Sequence, residues 1–163
     1  MSFRVGQGWD IHRLVPGRPL VLGGVDVPSE SGELGHSDGD VLCHAVVDAM
    51  LGAIAAGDIG RHFPPSEPRW KDAPSRVFVE RASELLAGAG WALVNVDATV
   101  ILERPRLAPL IDDIRGSIAG MLGLPAGAVS VKAKTKEGVD AVGRLEAVEA
   151  QAVVLVESVS RPD

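Results

Sequence analysis

The chain has 163 residues, which fits one domain of ordinary size, and its 46% hydrophobic content excludes wholesale disorder. Sixteen Lys and Arg residues against 22 Asp and Glu residues give a net charge of −6, which argues against a general nucleic-acid binder. The single cysteine, Cys43, excludes an intramolecular disulfide and is typical of a reducing compartment. Because no charge-free run could span a bilayer and the N-terminus lacks an apolar signal region, the sequence predicts one soluble, cytoplasmic domain, residues 1–163.

Turn residues and hydrophobic periodicity predict strands that alternate with helices. The predicted strands are Phe3–Asp10, Leu20–Leu22, Val25–Val27, Trp91–Leu102, Val129–Thr135 and Ala147–Val156. The predicted helices are Asp38 to about Ala56, Ser75–Ala89 and an amphipathic segment after Pro105 that runs to Leu122. The proline-rich residues 61–74 are predicted to form a loop. This order of elements indicates an α/β or α+β domain with one sheet.

Three details follow from the local sequence. Gly23-Gly24 supplies the positive φ angles of the first hairpin turn. Asp38 or Asp40 caps the first helix, which should end at Gly57. The unbroken apolar run Val153–Val156 predicts a last strand that is buried on both faces.

Asp10, His12 and His44 form the densest group of potential metal ligands in an otherwise aliphatic chain. Residues i and i+2 of a strand share a face, so Asp10 and His12 point the same way, and His44 can join them from the first helix. One carboxylate and two imidazoles with a fourth position open are typical of a catalytic zinc site, and the set also suits another borderline divalent ion. The alternative interpretation is a surface strand end and a satisfied, partly buried histidine.

The neighbours of His44 and the remaining histidine have simpler interpretations. Cys43 cannot share a face with His44, because adjacent helical residues point roughly 100° apart, and it is predicted to be a small core residue. Asp48 shares the face of His44, so it either holds the second ring nitrogen of His44 or belongs to a solvated acidic face. His62 has no predicted partner and is expected at the surface.

Two segments have the composition of phosphate-binding sites. His36-Ser37 precedes a helix start, where free backbone N–H groups, an imidazole and a hydroxyl suit a phosphate or diphosphate. Residues 132–137 place three lysines and Thr135 before Glu137, whose carboxylate could hold a Mg²⁺ ion shared with the phosphates. Plain N-capping and an ordinary charged strand end are the respective alternatives.

Taken together, these segments resemble the 2-C-methyl-D-erythritol 2,4-cyclodiphosphate synthase family, colinearly from about Phe3 to Val156. The resemblance rests above all on His36-Ser37-Asp38-Gly39-Asp40 followed by His44, with support from Gly6–Arg13, Leu22–Val25, Gly57–Gly60, Phe63-Pro64, Asn95–Asp97, Lys132-Ala133, Thr135 and Glu137. It implies an enzyme of the non-mevalonate isoprenoid pathway that forms a cyclic diphosphate and CMP from 4-diphosphocytidyl-2-C-methyl-D-erythritol 2-phosphate. It also implies helices on one side of the sheet and a homotrimer, with the sheets around the three-fold axis and each active site between two subunits.

The resemblance implies a role for each matched residue. One zinc per subunit, or another divalent ion in its place, would be held by Asp10, His12 and His44, and Glu137 would bind Mg²⁺ or Mn²⁺ with the substrate diphosphate. His36 and Thr135 would stabilise the transition state. The erythritol phosphate end would be held by Asp58, Ile59, Gly60, Phe63, Pro64, Pro65, Ser66 and Glu67. The cytidine pocket of the neighbouring subunit would comprise Leu102, Glu103, Arg104, Pro105, Arg106, Leu107 and Ala108. The other implied substrate-binding residues are Ser37, Lys134, Lys136 and Arg144.

The implied reaction is consistent with these residue types. The 2-phosphate attacks the β-phosphorus of the same molecule, so the nucleophile is already an anion and no strong general base is needed. The protein must supply ring-closing orientation and charge neutralisation at the pentacoordinate phosphorus. Two divalent cations, Lys134 and the backbone amides near His36 could provide that neutralisation.

One stretch departs from the family pattern, and two other classes of function remain open. Residues 139–146 keep Arg144 and Glu146, but they carry Asp140 and Ala141 where the family commonly has a glycine and an aromatic. The resemblance places this stretch at a trimer-axis cavity for an isoprenoid diphosphate, and the departure predicts weak binding there, with Arg144 paired to Glu146. The other classes are a zinc hydrolase of a phosphoester or nucleotide, which would need a base beside a metal-bound water, and a non-catalytic trimer tied by metal.

Overall fold

The computed structural model describes residues 1–35 and 37–159. The strands in these ranges are β1 (Phe3–Pro16), β2 (Leu20–Leu22), β3 (Val25–Val27), β4 (Ser31–Leu34), β5 (Trp91–Ile101), β6 (Val129–Lys134) and β7 (Ala147–Ser158). The helices are α1 (Val41–Ala53), α2 (Ile59–His62), α3 (Arg76–Gly88), α4 (Ile111–Leu122) and α5 (Asp140–Gly143).

A five-stranded sheet in the order β4-β1-β7-β5-β6 forms the centre of the molecule. The β1–β4, β1–β7 and β5–β7 pairs are antiparallel, and β5–β6 is parallel. Consequently β1, β5 and β6 run in the same direction, and their C-terminal ends lie at the same end of the sheet. The predicted mixed α/β domain with one main sheet is confirmed, and β2 and β3 form the predicted hairpin, with positive φ angles at Gly23 and Gly24.

Two glycines bring α1 against β1. Gly6 and Gly8 face the helix, and a Cβ atom at these positions would overlap the backbone of Ala49 and Ala45, respectively. The two backbones can therefore pack in direct contact. Asp10 and His12 continue the same face of β1, so the first turn of α1, which carries His44, lies over them.

The two faces of the sheet have different environments. One face packs on α1, α3 and α4 around an aliphatic core, as predicted, with helices on that side. The opposite face is largely open in the single chain, where Val5 is 65% exposed, Trp9 48% and Val153 43%. Along β7 the exposed Val153 alternates with buried Val154. The prediction that this strand is buried on both faces is therefore wrong for the single chain.

Other differences from the sequence-based expectation concern short elements. β1 extends to Pro16 because it continues to pair with β7 and with the unpredicted β4. α1 begins at Val41, with the Asp40 side chain accepting the Cys43 N–H at 3.0 Å, so Asp40 and not Asp38 is its cap. α2 and α5 have four residues each, too few for a periodic pattern. Within the described ranges, no helix combines the length and apolarity needed to cross a membrane.

Candidate active site

Asp10 and His12, in the C-terminal half of β1, meet His44 from the first turn of α1, and these three residues form the metal group. Asp10 Oδ2 lies 3.1 Å from His12 Nε2 and 3.1 Å from His44 Nδ1. One potential ligand atom from each residue lies within 4.8 Å of the others. The structure thus brings together the three residues that the sequence predicts as ligands.

The other ring nitrogen of His12 is held by two acceptors. Nδ1 lies 2.9 Å from Glu33 Oε2 and 2.5 Å from the carbonyl oxygen of Gly39. Because a carbonyl oxygen can only accept, Nδ1 must carry a hydrogen and donate it. In the neutral ring, Nε2 then presents its lone pair towards Asp10.

His44 is held by hydroxyl groups at Nε2, whereas His12 is held at Nδ1. Its Nε2 lies 3.0 Å from Ser75 Oγ and 3.2 Å from Ser37 Oγ. The Ser75 hydroxyl donates to Asp38 Oδ1, so its oxygen is left to accept from the Nε2–H of His44. The neutral ring therefore directs the lone pair of Nδ1 towards Asp10.

Asp48 does not hold His44, so that hypothesis is wrong. The Asp48 carboxylate accepts the Ile59 N–H at 2.7 Å and fixes the start of α2, while Ser75 and Ser37 contact the second nitrogen of His44. His62 also has a partner that the sequence does not predict, because its Nε2 lies 2.9 Å from the Ala56 carbonyl oxygen.

The electrostatics of the metal group favour a positive charge at its centre. Burial alone would lower the pKa of His12, but hydrogen bonds to Asp10 and Glu33 and their charges raise that pKa to about 10. Burial raises the pKa of Glu33 to about 8. Burial would also raise the pKa of Asp10, but hydrogen bonds from both histidines and their charges lower it below its usual range. Either a proton on His12 or a bound cation would supply this positive charge.

The donor set fits a divalent ion. Ligand atoms about 2.0–2.1 Å from a tetrahedral ion are separated by roughly 3.4 Å. The spacings of 3.1 Å from Asp10 Oδ2 to the two histidine nitrogens are close to that value. Two nitrogens with fixed lone pairs and one carboxylate oxygen thus form a possible metal site, and all three side chains line a cavity that a further ligand can enter.

This cavity has a volume of about 250 Å³ and an aromatic wall that the sequence does not predict. The rings of Phe63, Trp70 and Phe78 pack with centroids 4.7 to 5.6 Å apart. The predicted substrate-binding residues that line the cavity are Ser37, Ile59, Gly60, Phe63 and Pro65. The predicted residues of the same segment outside this lining are Asp58, Pro64, Ser66 and Glu67; Asp58 caps α2, and Glu67 forms an ion pair with Arg69.

The predicted cytidine segment and phosphate cradle meet at the C-terminal ends of β5 and β6. The Leu102 N–H donates to the Lys134 carbonyl at 2.9 Å, and Glu103 Oε2 accepts the Lys136 N–H at 3.0 Å. We call residues 102–108 and 134–137 the β5–β6 group. It contains the predicted Leu102, Glu103, Arg104, Pro105, Arg106, Leu107, Ala108, Lys134, Thr135, Lys136 and Glu137.

The β5–β6 group and the metal group lie at the same end of the sheet but are not adjacent within one chain. β7 and β5 stand between β1 and β6. Three strand spacings of about 4.8 Å separate the outer two strands by roughly 14 Å. The sequence-based role of His36 cannot be placed, because His36 lies outside the described residues.

Two cations that the sequence assigns to the substrate have carboxylate partners in the chain. Lys136 Nζ lies 3.2 Å from Asp140 Oδ2 and 3.2 Å from Glu149 Oε2. Arg144 pairs with Glu146 at 3.1 Å, the pairing expected for that stretch. A phosphate at either cation would therefore compete with a carboxylate.

Sequence reasoning missed Glu33 and Ser75, which contact the two histidines directly. Their contacts span 21 residues to His12 and 31 residues to His44, and no motif links those positions. The only local indications are an acidic residue within a short glycine-containing segment, for Glu33, and a serine at a predicted helix start, for Ser75.

The fold and the site define a mixed α/β, single-sheet protein with a possible divalent-metal site. The model of the YgbB family matches residues 3–157, and the chain belongs to this family.

Similar proteins agree with that assignment. A curated relative from Chromobacterium violaceum, named 2-C-methyl-D-erythritol 2,4-cyclodiphosphate synthase, is 57% identical over 154 residues, covering 94% of this chain and 98% of the relative. The solved structure of a synthase of that name in its CDP-bound form has a TM-score of 0.88 and 41% identity, covering 94% of this chain and 100% of that one. The bifunctional IspDF from Campylobacter jejuni has a TM-score of 0.92 and 34% identity, with 96% of this chain covering 42% of that chain. The predicted family and its enzyme class, a cyclising phosphorus–oxygen lyase of the non-mevalonate pathway, are confirmed.

Proposed function

We propose that the chain converts 4-diphosphocytidyl-2-C-methyl-D-erythritol 2-phosphate into 2-C-methyl-D-erythritol 2,4-cyclodiphosphate and CMP, at a site that a neighbouring subunit completes. The observation that carries this proposal is the metal group in its aromatic-walled cavity, with a lysine- and threonine-bearing strand end at the same end of the sheet. The CDP complex of a synthase 41% identical to this chain supports a cytidine diphosphate ligand. The enzyme acts as one domain in the cytoplasm, with neither nucleic acid nor membrane as a partner.

In this proposal Asp10, His12 and His44 hold zinc, and Glu137 holds Mg²⁺ or Mn²⁺ together with the substrate diphosphate. Bound divalent ions neutralise phosphate oxygens as charge develops on them. The chain keeps the zinc ligands in place: Nδ1–H of His12 and Nε2–H of His44 are bonded elsewhere, so the lone pair of each ring points inwards.

The remaining residues orient the substrate. Ring closure forms a bond from a 2-phosphate oxygen to the β-phosphorus and breaks the bond from the β-phosphorus to the bridging oxygen, which leaves with CMP. The erythritol end lies against Ile59, Gly60 and Phe63 in the cavity, where the aromatic wall excludes water. His36 and Thr135 stabilise the pentacoordinate phosphorus, and Lys134 offsets its charge.

In the proposed homotrimer, each metal group faces residues of a neighbouring subunit. The outer face of the sheet exposes large apolar side chains at Phe3, Val5, Trp9, Ile11 and Val153. A contiguous apolar face of this kind is typical of a protein–protein interface. Packing three sheets through this face would cover it and would let the β5–β6 group of one subunit face the metal group of the next.

Product analysis with controlled metal content tests the proposal. Purified protein is incubated with the cytidine substrate, CMP is quantified by chromatography, and the phosphorus product is identified by ³¹P NMR. We expect equal amounts of CMP and cyclic diphosphate, loss of both after chelation, and recovery with Zn²⁺ plus Mg²⁺. CMP with a linear product would instead indicate a hydrolase, and metal-dependent assembly without CMP release would indicate a structural trimer.

A further inference from the structure

Glu33 is a buried carboxylate beside the metal group to which the proposed reaction gives no role. Its side chain is 0% exposed on the edge strand β4. Its Oε2 lies 2.9 Å from His12 Nδ1 and accepts the Val41 N–H at 3.0 Å. Its Oε1 has no hydrogen-bond partner among the described residues.

This arrangement serves stability poorly. Buried polar atoms almost always have a hydrogen-bond partner, and an exception in a folded protein calls for an explanation. A leucine of similar volume would remove the unpaired oxygen, but it would also leave the Val41 N–H without its acceptor. The orphaned Oε1 therefore indicates that Glu33 is retained for what its other oxygen does.

The surroundings hold the backbone of Glu33 in place. The Glu33 carbonyl accepts from Arg18 Nε at 2.7 Å, and Glu33 pairs with Leu14 across the β1–β4 ladder. A Cβ atom at Gly39, where φ is +85°, would lie 2.9 Å from the Cβ of Glu33. The absence of a side chain at residue 39 thus leaves room for β4 to pack closely against this turn.

We propose that Glu33 is a positioning residue for the metal ion, which acts through His12. Its Oε2 accepts the Nδ1–H of His12, so that Nε2 faces Asp10 and becomes a stronger donor. Histidine ligands commonly donate their second N–H to a carboxylate, and loss of that partner lowers metal affinity about 10- to 100-fold. The inference rests on the metal binding in the proposed function.

Three variants test this role through zinc binding by the metal-depleted full chain. Glu33→Leu removes the acceptor at similar volume, Glu33→Gln keeps an acceptor oxygen without the charge, and Glu30→Gln is a matched control at an exposed position of the same segment. Zinc affinity is measured by competition with a chromophoric chelator. A long-range ¹H–¹⁵N spectrum of the zinc-loaded protein reports which nitrogen of His12 carries the hydrogen.

We expect zinc affinity to fall about 10- to 100-fold in Glu33→Leu, by a smaller factor in Glu33→Gln, and not at all in Glu30→Gln. We also expect a shifted His12 resonance in zinc-loaded Glu33→Leu, whereas metal-free Glu33→Gln, which keeps an acceptor for the Val41 N–H, should unfold near the temperature of the parent chain. These results together would distinguish positioning from a structural role.

Two results would overturn the inference. One is unchanged zinc affinity in both Glu33 variants, which would mean that the Gly39 carbonyl alone positions His12. The other is a lower unfolding temperature of metal-free Glu33→Leu with unchanged zinc affinity, which would mean that Glu33 serves the start of α1. Failure of the synthase proposal itself has a separate readout, because the parent chain would then bind zinc without releasing CMP.

Discussion

The metal group and the β5–β6 group differ in how completely one chain builds them. In the metal group, each histidine has its second nitrogen fixed, by Glu33 and Gly39 for His12 and by hydroxyls for His44. In the β5–β6 group, Glu137 is exposed, and its carboxylate accepts a long hydrogen bond from Thr135 Oγ1 at 3.3 Å. The contrast agrees with the proposed function, in which a single chain binds the ion and a second chain completes the substrate site.

Removing a predicted zinc ligand should have the largest effect, because the metal group would then no longer bind an ion. We expect His44→Ala to lose zinc affinity by more than about 100-fold and CMP release with it, because one of three ligands is gone. Metal analysis after gel filtration and circular dichroism would show an empty site in a folded chain. His62→Ala, which removes a histidine outside the metal group that is hydrogen-bonded to the Ala56 carbonyl, is the control and should keep its zinc. Full zinc occupancy in His44→Ala would contradict the ligand assignment.

Separating the subunits of the proposed trimer should preserve zinc binding by the metal group but remove the contribution of the β5–β6 group to activity. Val5→Lys places a charge on the exposed apolar face, and in the proposed trimer this charge would be buried against a neighbouring subunit. We expect a monomer by sedimentation with unchanged zinc affinity and activity reduced by about 100-fold or more, because phosphate-stabilising groups of the neighbour are lost.

Val77→Lys is the matched control for that variant. Val77 is 37% exposed on α3, on the helical side of the sheet, so the same substitution there should keep both the assembly and the activity. A fully active Val5→Lys monomer would show that one chain holds the whole site.

The same contrast explains what could be predicted from the sequence. Strand periodicity places Asp10 and His12 on one face, the family resemblance favours them and His44 as metal ligands over the alternative, and the hairpin at Gly23-Gly24 follows from turn chemistry. Glu33 and Ser75 reach the histidines only through strand pairing and a loop return, and local patterns do not encode such contacts. The run Val153–Val156 reads as doubly buried, because sequence does not distinguish a face covered by the chain's own helices from one available to another copy.

Removing the predicted magnesium ligand should impair the β5–β6 group without affecting the metal group, and the loss of activity should be smaller. We expect Glu137→Gln to keep its zinc affinity and to lose about 10- to 100-fold in turnover at limiting Mg²⁺, with partial recovery at high Mg²⁺. Steady-state rates across a Mg²⁺ titration measure this effect. Glu84→Gln, at an exposed position of α3, should behave like the parent chain. Normal turnover of Glu137→Gln at limiting Mg²⁺ would place the second ion elsewhere.

The smallest effect should be the pH dependence of the metal-free chain, which concerns the metal group and the neighbouring Glu33. The pKa of His12 is raised to about 10, so the stability from its protonated form is complete below about pH 6.5 and is lost as pH rises towards 10. The pKa of Glu33 is raised to about 8, so its contribution changes in the same direction between about pH 4.5 and 8. We expect the melting temperature of the chelator-treated protein to fall by at least about 4 °C from pH 6.5 to 10, and His12→Gln to flatten that slope. Zinc binding displaces the proton from His12, so zinc affinity should increase as pH rises and that proton becomes easier to remove. The increase in melting temperature caused by zinc should therefore grow from pH 6.5 to 10. A metal-free melting temperature that rises with pH would mean that the charge balance of this site differs from the one its hydrogen bonds indicate.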